Sequence, residues 1–160
     1  MSLLPPAEGT HVLIRTVIAT ALAAAGIAAI PSAAYAGSAA YTPERVCGPG
    51  FHRVKDGHRT MKTRAGAVFG HVYLMYSKRS GKNCVAAIKT AYKGARTVTG
   101  AHLEVRGGGR SEDVQRYRYY AETGHIDGAW KCVRYSGWTR DSSNRVEAWG
   151  GRKAWGNCNG

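Results

Sequence analysis

Acidic residues are scarce in this 160-residue chain: 10 Asp and Glu stand against 23 Lys and Arg, a formal net charge of +13. Such an imbalance excludes an acidic cation-binding protein and points toward anionic partners. Long hydrophobic runs are also missing. The longest, Thr16 to Ile30, falls short of the roughly 20 apolar residues that a spanning helix needs. Motifs of enzymatic chemistry are absent too. There is no Gly-x-Ser-x-Gly elbow, no His-Glu-x-x-His pair and no phosphate-binding loop, and Gly107-Gly108-Gly109 ends in Arg110 rather than in Lys-Ser/Thr. No Cys-x-x-Cys pair is present to support thiol redox work, and the four cysteines are too widely spaced for a structural zinc site. The five histidines from His52 onward, His52, His58, His71, His102 and His125, are likewise not spaced to predispose a shared metal. No metal or cofactor is expected.

What is present begins with the short apolar run itself. It follows Arg15, ends at Pro31, and leads to Ala34-Tyr35-Ala36 before Gly37, the order of a secretory signal with an Ala-x-Ala cleavage box. Residues 1–36 are therefore expected to form a cleavable signal helix, with the mature chain starting at Gly37 and no membrane span left after cleavage. Pro5, Pro6 and Glu8 suit a signal's charged opening poorly, which places the expected translation start nearer Val12.

Cys47, Cys84, Cys132 and Cys158 all follow the leader, an even number in an oxidising compartment, so two disulfides are expected. Three pairings are open. The sequential one would close loops of 37 and 26 residues, each worth roughly 3.5 to 4 kcal/mol in the chain-entropy model.

Residues 37–46 are small and polar and read as a flexible lead-in, and residues 47–160 as one disulfide-bonded β domain. Ala67 to Ser77 and Asn83 to Thr90 are β-branched and aromatic runs joined by Lys78-Arg79-Ser80-Gly81-Lys82, a hairpin signature. Further strands are expected at Phe51 to Lys55, Arg96 to Arg106, Val114 to Glu122, Trp130 to Tyr135 and Arg145 to Trp149. Nothing after the leader sustains a helical apolar period, so the expected fold is all-β, a small sandwich or barrel of about seven antiparallel strands.

Two functional readings follow from the residues. Arginines interleaved with Tyr117, Tyr119, Tyr120 and the tryptophans suit a polyanion, because the guanidinium fork grips phosphate or carboxylate and aromatic rings offer stacking surfaces. In Arg116-Tyr117-Arg118-Tyr119 strict alternation would place arginines on one sheet face and tyrosines on the other. Arg106, Arg110, Arg116 and Arg118 are the candidate contacts, and anionic cell-wall polymer, the spore surface or extracellular nucleic acid the candidate partners. The alternative is a small secreted hydrolase directed at RNA or wall polymer, with Glu104, Arg106, Glu122 and His125 supplying a general base, a phosphate clamp and a general acid. A protease inhibitor would need a rigid loop braced by a disulfide, and no segment marks itself as one.

A family resemblance adds to this. Cys47-Gly48-Pro49-Gly50-Phe51, Val72-Tyr73-Leu74-Met75-Tyr76, Gly81-Lys82-Asn83-Cys84-Val85, Tyr117-Arg118-Tyr119-Tyr120-Ala121 and Cys132-Val133, in that order, resemble the spore-associated protein A family of Streptomyces and related actinobacteria. The most specific element is Gly-Lys-Asn-Cys-Val directly after the Val-Tyr-Leu-x-Tyr strand. The resemblance implies a small secreted protein of the spore or cell surface, defined by location and without an assigned reaction, so it carries over no catalytic residue. A secreted, non-enzymatic surface protein is the expectation.

Overall fold

The computed structural model describes residues 41–158; the leader with Ala34, Ala36 and Gly37, and the first residues of the lead-in, lie outside them. These residues are almost entirely β, a nearly closed antiparallel barrel. After α1 (Pro43–Cys47) come β1 (His52–Lys62), β2 (Val68–Ser77), β3 (Lys82–Lys89), β4 (Thr97–Val105), β5 (Arg110–Tyr117), β6 (Tyr120–Glu122), β7 (Ile126–Asp127), β8 (Val133–Arg140) and β9 (Glu147–Gly156). The strand order is β5-β4-β8-β9-β1-β2-β3-β6, with β7 also pairing with β3. Between the two ends of that order side chains replace the ladder. Asp113 Oδ2 of β5 accepts the Glu122 N–H at 3.3 Å, and Ser111 Oγ accepts the Gly124 N–H at 2.9 Å.

The hairpin of β2 and β3 falls where the sequence placed it, in unbroken register from Gly70–Lys89 to Ser77–Lys82. Val72 and Leu74 of β2 point inward with Val85 and Ala87 of β3, Ala101 and Leu103 of β4, and Val133 and Tyr135 of β8. Interior space is tight. A Cβ on Gly137 would lie 2.8 Å from both Ala87 and Val72.

Local details differ from the expected boundaries. The lead-in ends in the short helix α1. Pro43 occupies the first turn of α1, Thr42 Oγ1 caps it by accepting the Arg45 N–H at 3.2 Å, and Val46 and Cys47 are buried. Nine strands lie among the described residues, against the expected seven or so. Val114 to Glu122 is two strands because the chain breaks off at Arg118-Tyr119, whose carbonyls accept from Gly94 and Lys89 N–H groups. Strand β1 runs on past Lys55, where the expected strand ended, through a bulge at Asp56-Gly57, with Asp56 at φ 59° and a register shift between Arg53 and His58. Strand β8 starts at Val133, later than Trp130, because Trp130 sits at φ 60° in a turn.

Two disulfides exist, pairing Cys47 with Cys84 and Cys132 with Cys158, and no described cysteine is free. Cys47–Cys84 ties α1 to the outer surface of β3. There Val46, Cys47, Phe51, Met75, Cys84 and Ala86 form a second small core on the side of β2 and β3 that faces away from the barrel interior.

Candidate functional site

The second core shapes a cleft. Outward residues of β2 and β3 alternate with the barrel-filling ones, so His71, Tyr73 and Ile88 stand on the face that α1 partly covers. Tyr41 and Arg45 reach over from the α1 side, Lys93 from the turn after β3, and Tyr119 and Tyr120 from the break between β5 and β6. Together with Lys89 and Thr90 they line a cleft of about 630 Å³. The aromatic wall is continuous: Tyr41 stacks on Tyr119 at 5.0 Å between ring centroids and leans on Tyr120 at 4.9 Å.

The walls carry cations and no carboxylate. Arg45 and Lys93 are exposed, and among the described residues neither is in an ion pair. Lys89 is buried, donating to the carbonyls of Ala95 at 2.8 Å and Tyr117 at 3.2 Å. Loss of hydration lowers its pKa to about 8. His71 Nδ1 lies 2.9 Å from His58 Nε2, and the His58 ring stacks on Tyr73 at 4.8 Å. Burial, and then the neighbouring His71, hold the His58 pKa below the ordinary histidine value. Burial pushes the Tyr73 hydroxyl up, against the pull of Arg53. The site therefore offers two cations that are in no ion pair among the described residues, and phenol hydroxyls along one aromatic wall. These are donors for an oxyanion and faces for a ring.

A second cleft of about 610 Å³ is lined by His52, Arg53, Val54, Lys55, Tyr76, Lys78, Asn157 and Cys158, again without a carboxylate. The protein's few acids are largely engaged elsewhere. Asp56 pairs with Arg59 and Arg152, Glu104 with Arg134, and Glu147 with Arg140.

The four arginines chosen from the sequence do not make one face. Arg110 lies opposite Glu104 at the start of the β4–β5 pairing and Arg106 precedes the connecting turn, whereas Arg116 and Arg118 lie at the far end. Both of the latter are fixed to backbone, Arg116 Nη2 donating to the Arg96 carbonyl at 3.1 Å and Arg118 Nη1 to that of Gly94 at 2.6 Å. The expected alternation fails because β5 ends at Tyr117, so Arg118 and Tyr119 leave the pleat.

Nor are Glu104, Arg106, Glu122 and His125 joined as one set by hydrogen bonds or ion pairs. Glu104 is held by Arg134 Nη2 at 2.7 Å, a contact that lowers its pKa, with His102 3.8 Å away. Glu122 instead faces His125 at 3.3 Å and is pushed above the ordinary carboxylate value by burial, with His125 opposing. Cys47, Cys84 and Glu122 come close enough to suggest a metal cluster, but both sulfurs are consumed in a disulfide and no thiolate remains.

Sequence reading missed Tyr41, Arg45, His58, Lys89 and Lys93. The sequence does mark Tyr119 and Tyr120 as stacking aromatics, and His71 and Tyr73 alternate with Val72 and Leu74 and so belong to the face opposite the core. No protein family matches the chain, and neither does any curated protein or solved structure.

Proposed function

We propose that this is a secreted, non-enzymatic protein of the spore or cell surface that holds an anionic envelope polymer. The observation that carries the reading is the tyrosine-walled cleft, in which, among the described residues, Arg45 and Lys93 are in no ion pair and no carboxylate lines the wall. The net charge of +13 draws polyanions at long range, and the cleft supplies a place where desolvation and donor geometry select them. Two disulfides agree with export, and the resemblance to spore-associated proteins agrees with a surface location.

The test is retention of the chain on immobilised poly(glycerol phosphate) across a salt series. Each released counterion contributes to the slope of log affinity against log salt, so replacing both Arg45 and Lys93 by Ala should reduce that slope by about 1.5. Affinity should fall at least about tenfold. Retention indifferent to salt, or equal in the double variant, sinks the proposal. One observation favours a hydrolase as second reading: the Glu122–His125 pair, with its partly buried carboxylate, is placed for general acid–base work. Cleavage of RNA by the wild-type chain, abolished by His125→Ala, would transfer the assignment to that pair.

A further inference from the structure

The end of the barrel where β2 joins β3 carries a feature that the cleft does not use. Trp130 is 81% exposed, although tryptophan is one of the side chains water disfavours most in bulk. Its backbone is left-handed, φ 60°, a conformation that bulky residues rarely adopt and that is kept only where the surroundings impose it. The surroundings here do impose it. Gly128 donates to the Gly81 carbonyl at 3.0 Å, Lys131 closes a turn back to Gly128 at 3.1 Å, and Cys132 is locked to Cys158. Gly128 itself tolerates no side chain, since a Cβ would lie 2.0 Å from Asn83 Oδ1. The indole is thus held outward by a braced loop.

The three segments that hydrogen bonds bring together at this end of the barrel carry exposed cations. The β2–β3 turn contributes Lys78 and Arg79, the loop itself Lys131, and the β4–β5 turn Arg106, whose N–H donates to the Cys132 carbonyl at 2.9 Å; all four side chains are exposed. Lys82 lies nearby, opposite Asp127 in the β3–β7 ladder. A single projecting indole, with exposed cations on the turns joined to its loop, differs from a stacking groove, which presents several aromatic faces along a track. It matches what a bilayer surface asks for: an amphipathic ring that settles at headgroup level, and lysines and arginines that meet anionic lipid.

We propose that Trp130 and the cations Lys78, Arg79, Arg106 and Lys131 form a docking tip for an anionic lipid bilayer. The tip stands at the opposite end of β3 from Lys89 and the cleft, so lipid and polymer can be held at once. The inference goes beyond the polymer-binding reading and does not depend on it.

The test uses the full chain with vesicles of phosphatidylcholine alone or mixed equally with phosphatidylglycerol. The apolar stretch before residue 31 is common to every variant and cancels from the comparison. Wild type should partition to the anionic vesicles, with part of its tryptophan emission shifted to the blue and quenched by lipid brominated near the headgroup. Trp130→Ala should remove that quenched component and weaken partitioning about tenfold or more. Replacing Lys78, Arg79 and Lys131 together by Gln should weaken it about a hundredfold while leaving affinity for neutral vesicles as it was. Equal partitioning of wild type and Trp130→Ala, or no preference for anionic lipid, overturns the proposal. So does a Trp130 emission that ignores vesicles but responds to single-stranded RNA, which would assign the tip to nucleic acid.

Discussion

Tyr117 donates its hydroxyl to Asp113 Oδ1 at 2.7 Å, and the same carboxylate accepts the Glu122 N–H on its other oxygen. The pair lies where the barrel lacks a backbone ladder, between β5 and β6. One side chain thus fastens both its own strand and the opposite edge. Burial, and after it the Asp113 carboxylate, push the Tyr117 hydroxyl up to about 12, which keeps it a donor at any physiological pH.

Asp113→Ala should therefore lower stability by about 1–3 kcal/mol, because a bond to an ionised acceptor is lost together with the partner of a strand-edge N–H. Tyr117→Phe, which removes only one donor, should cost about 1 kcal/mol. Glu112→Ala, exposed on the same strand, is the control and should change stability by less than about 0.5 kcal/mol. Urea unfolding of the three variants checks the order, and an Asp113→Ala as stable as Glu112→Ala would refute the seam.

Removing the Cys47–Cys84 disulfide by paired Ser substitution should cost about 4 kcal/mol for its separation of 37 residues, and removing Cys132–Cys158 about 3.5 kcal/mol for 26. The functional outcomes should differ more than the energies. Cys47–Cys84 holds α1 and so Arg45 over the cleft, whereas Cys132–Cys158 braces the Trp130 loop. Loss of the first should weaken retention on poly(glycerol phosphate) and leave vesicle binding; loss of the second should do the reverse. Titrating both ligands against each folded variant gives the comparison.

How much of this was legible in the sequence depends on whether the signal was local. Val72-Tyr73-Leu74-Met75-Tyr76 and the basic turn after it specify a hairpin by alternation and loop chemistry alone, and the structure keeps both. Asp56-Gly57 has the same appearance as a turn, yet β1 runs through it, because pairing with β2 resumes at His58. Glycines misled in the same way. Gly150 reads as punctuation, but it lies inside β9, where a Cβ would meet the Thr60 carbonyl at 2.6 Å. The cleft was hidden for another reason. Tyr41, His71, Lys89 and Tyr119 meet only once the helix folds over β3 and the β5–β6 break reaches it. A lysine in a strand also reads as solvent-facing, whereas Lys89 turns inward to carbonyls that only the folded chain presents.

Gly100 shows how close approach can be tested. A Cβ there would lie 2.2 Å from the Trp138 ring, which crosses the β4 backbone at this point. Gly100→Ala must lift that ring, and should lower stability by about 1–3 kcal/mol while changing the near-ultraviolet circular dichroism that Trp138 contributes. Gly109→Ala, where the added carbon meets nothing within 4 Å, should leave both within error. Identical spectra for the two variants would mean that the indole is free to move aside.

Lys89 makes the pH dependence specific. Its pKa is about 8 in the folded chain against an ordinary value of 10.5, so below pH 8 the group is charged in both folded and unfolded chains. Between those values the unfolded chain binds more protons than the folded one, and stability must rise with pH, by order of 1–3 kcal/mol if the full interval is used. The tyrosines oppose this from about pH 10 upward. Burial raises the hydroxyl pKa of Tyr73, Tyr117 and Tyr135, so their folded forms keep protons that the unfolded chain releases. The window to examine is therefore pH 7.5 to 9.5. The wild-type melting temperature should climb across it, and Lys89→Met, which has nothing to titrate there, should stay level. Parallel curves for the two proteins would show that the ammonium stays hydrated, and that Ala95 and Tyr117 do not hold it in the wall of the cleft.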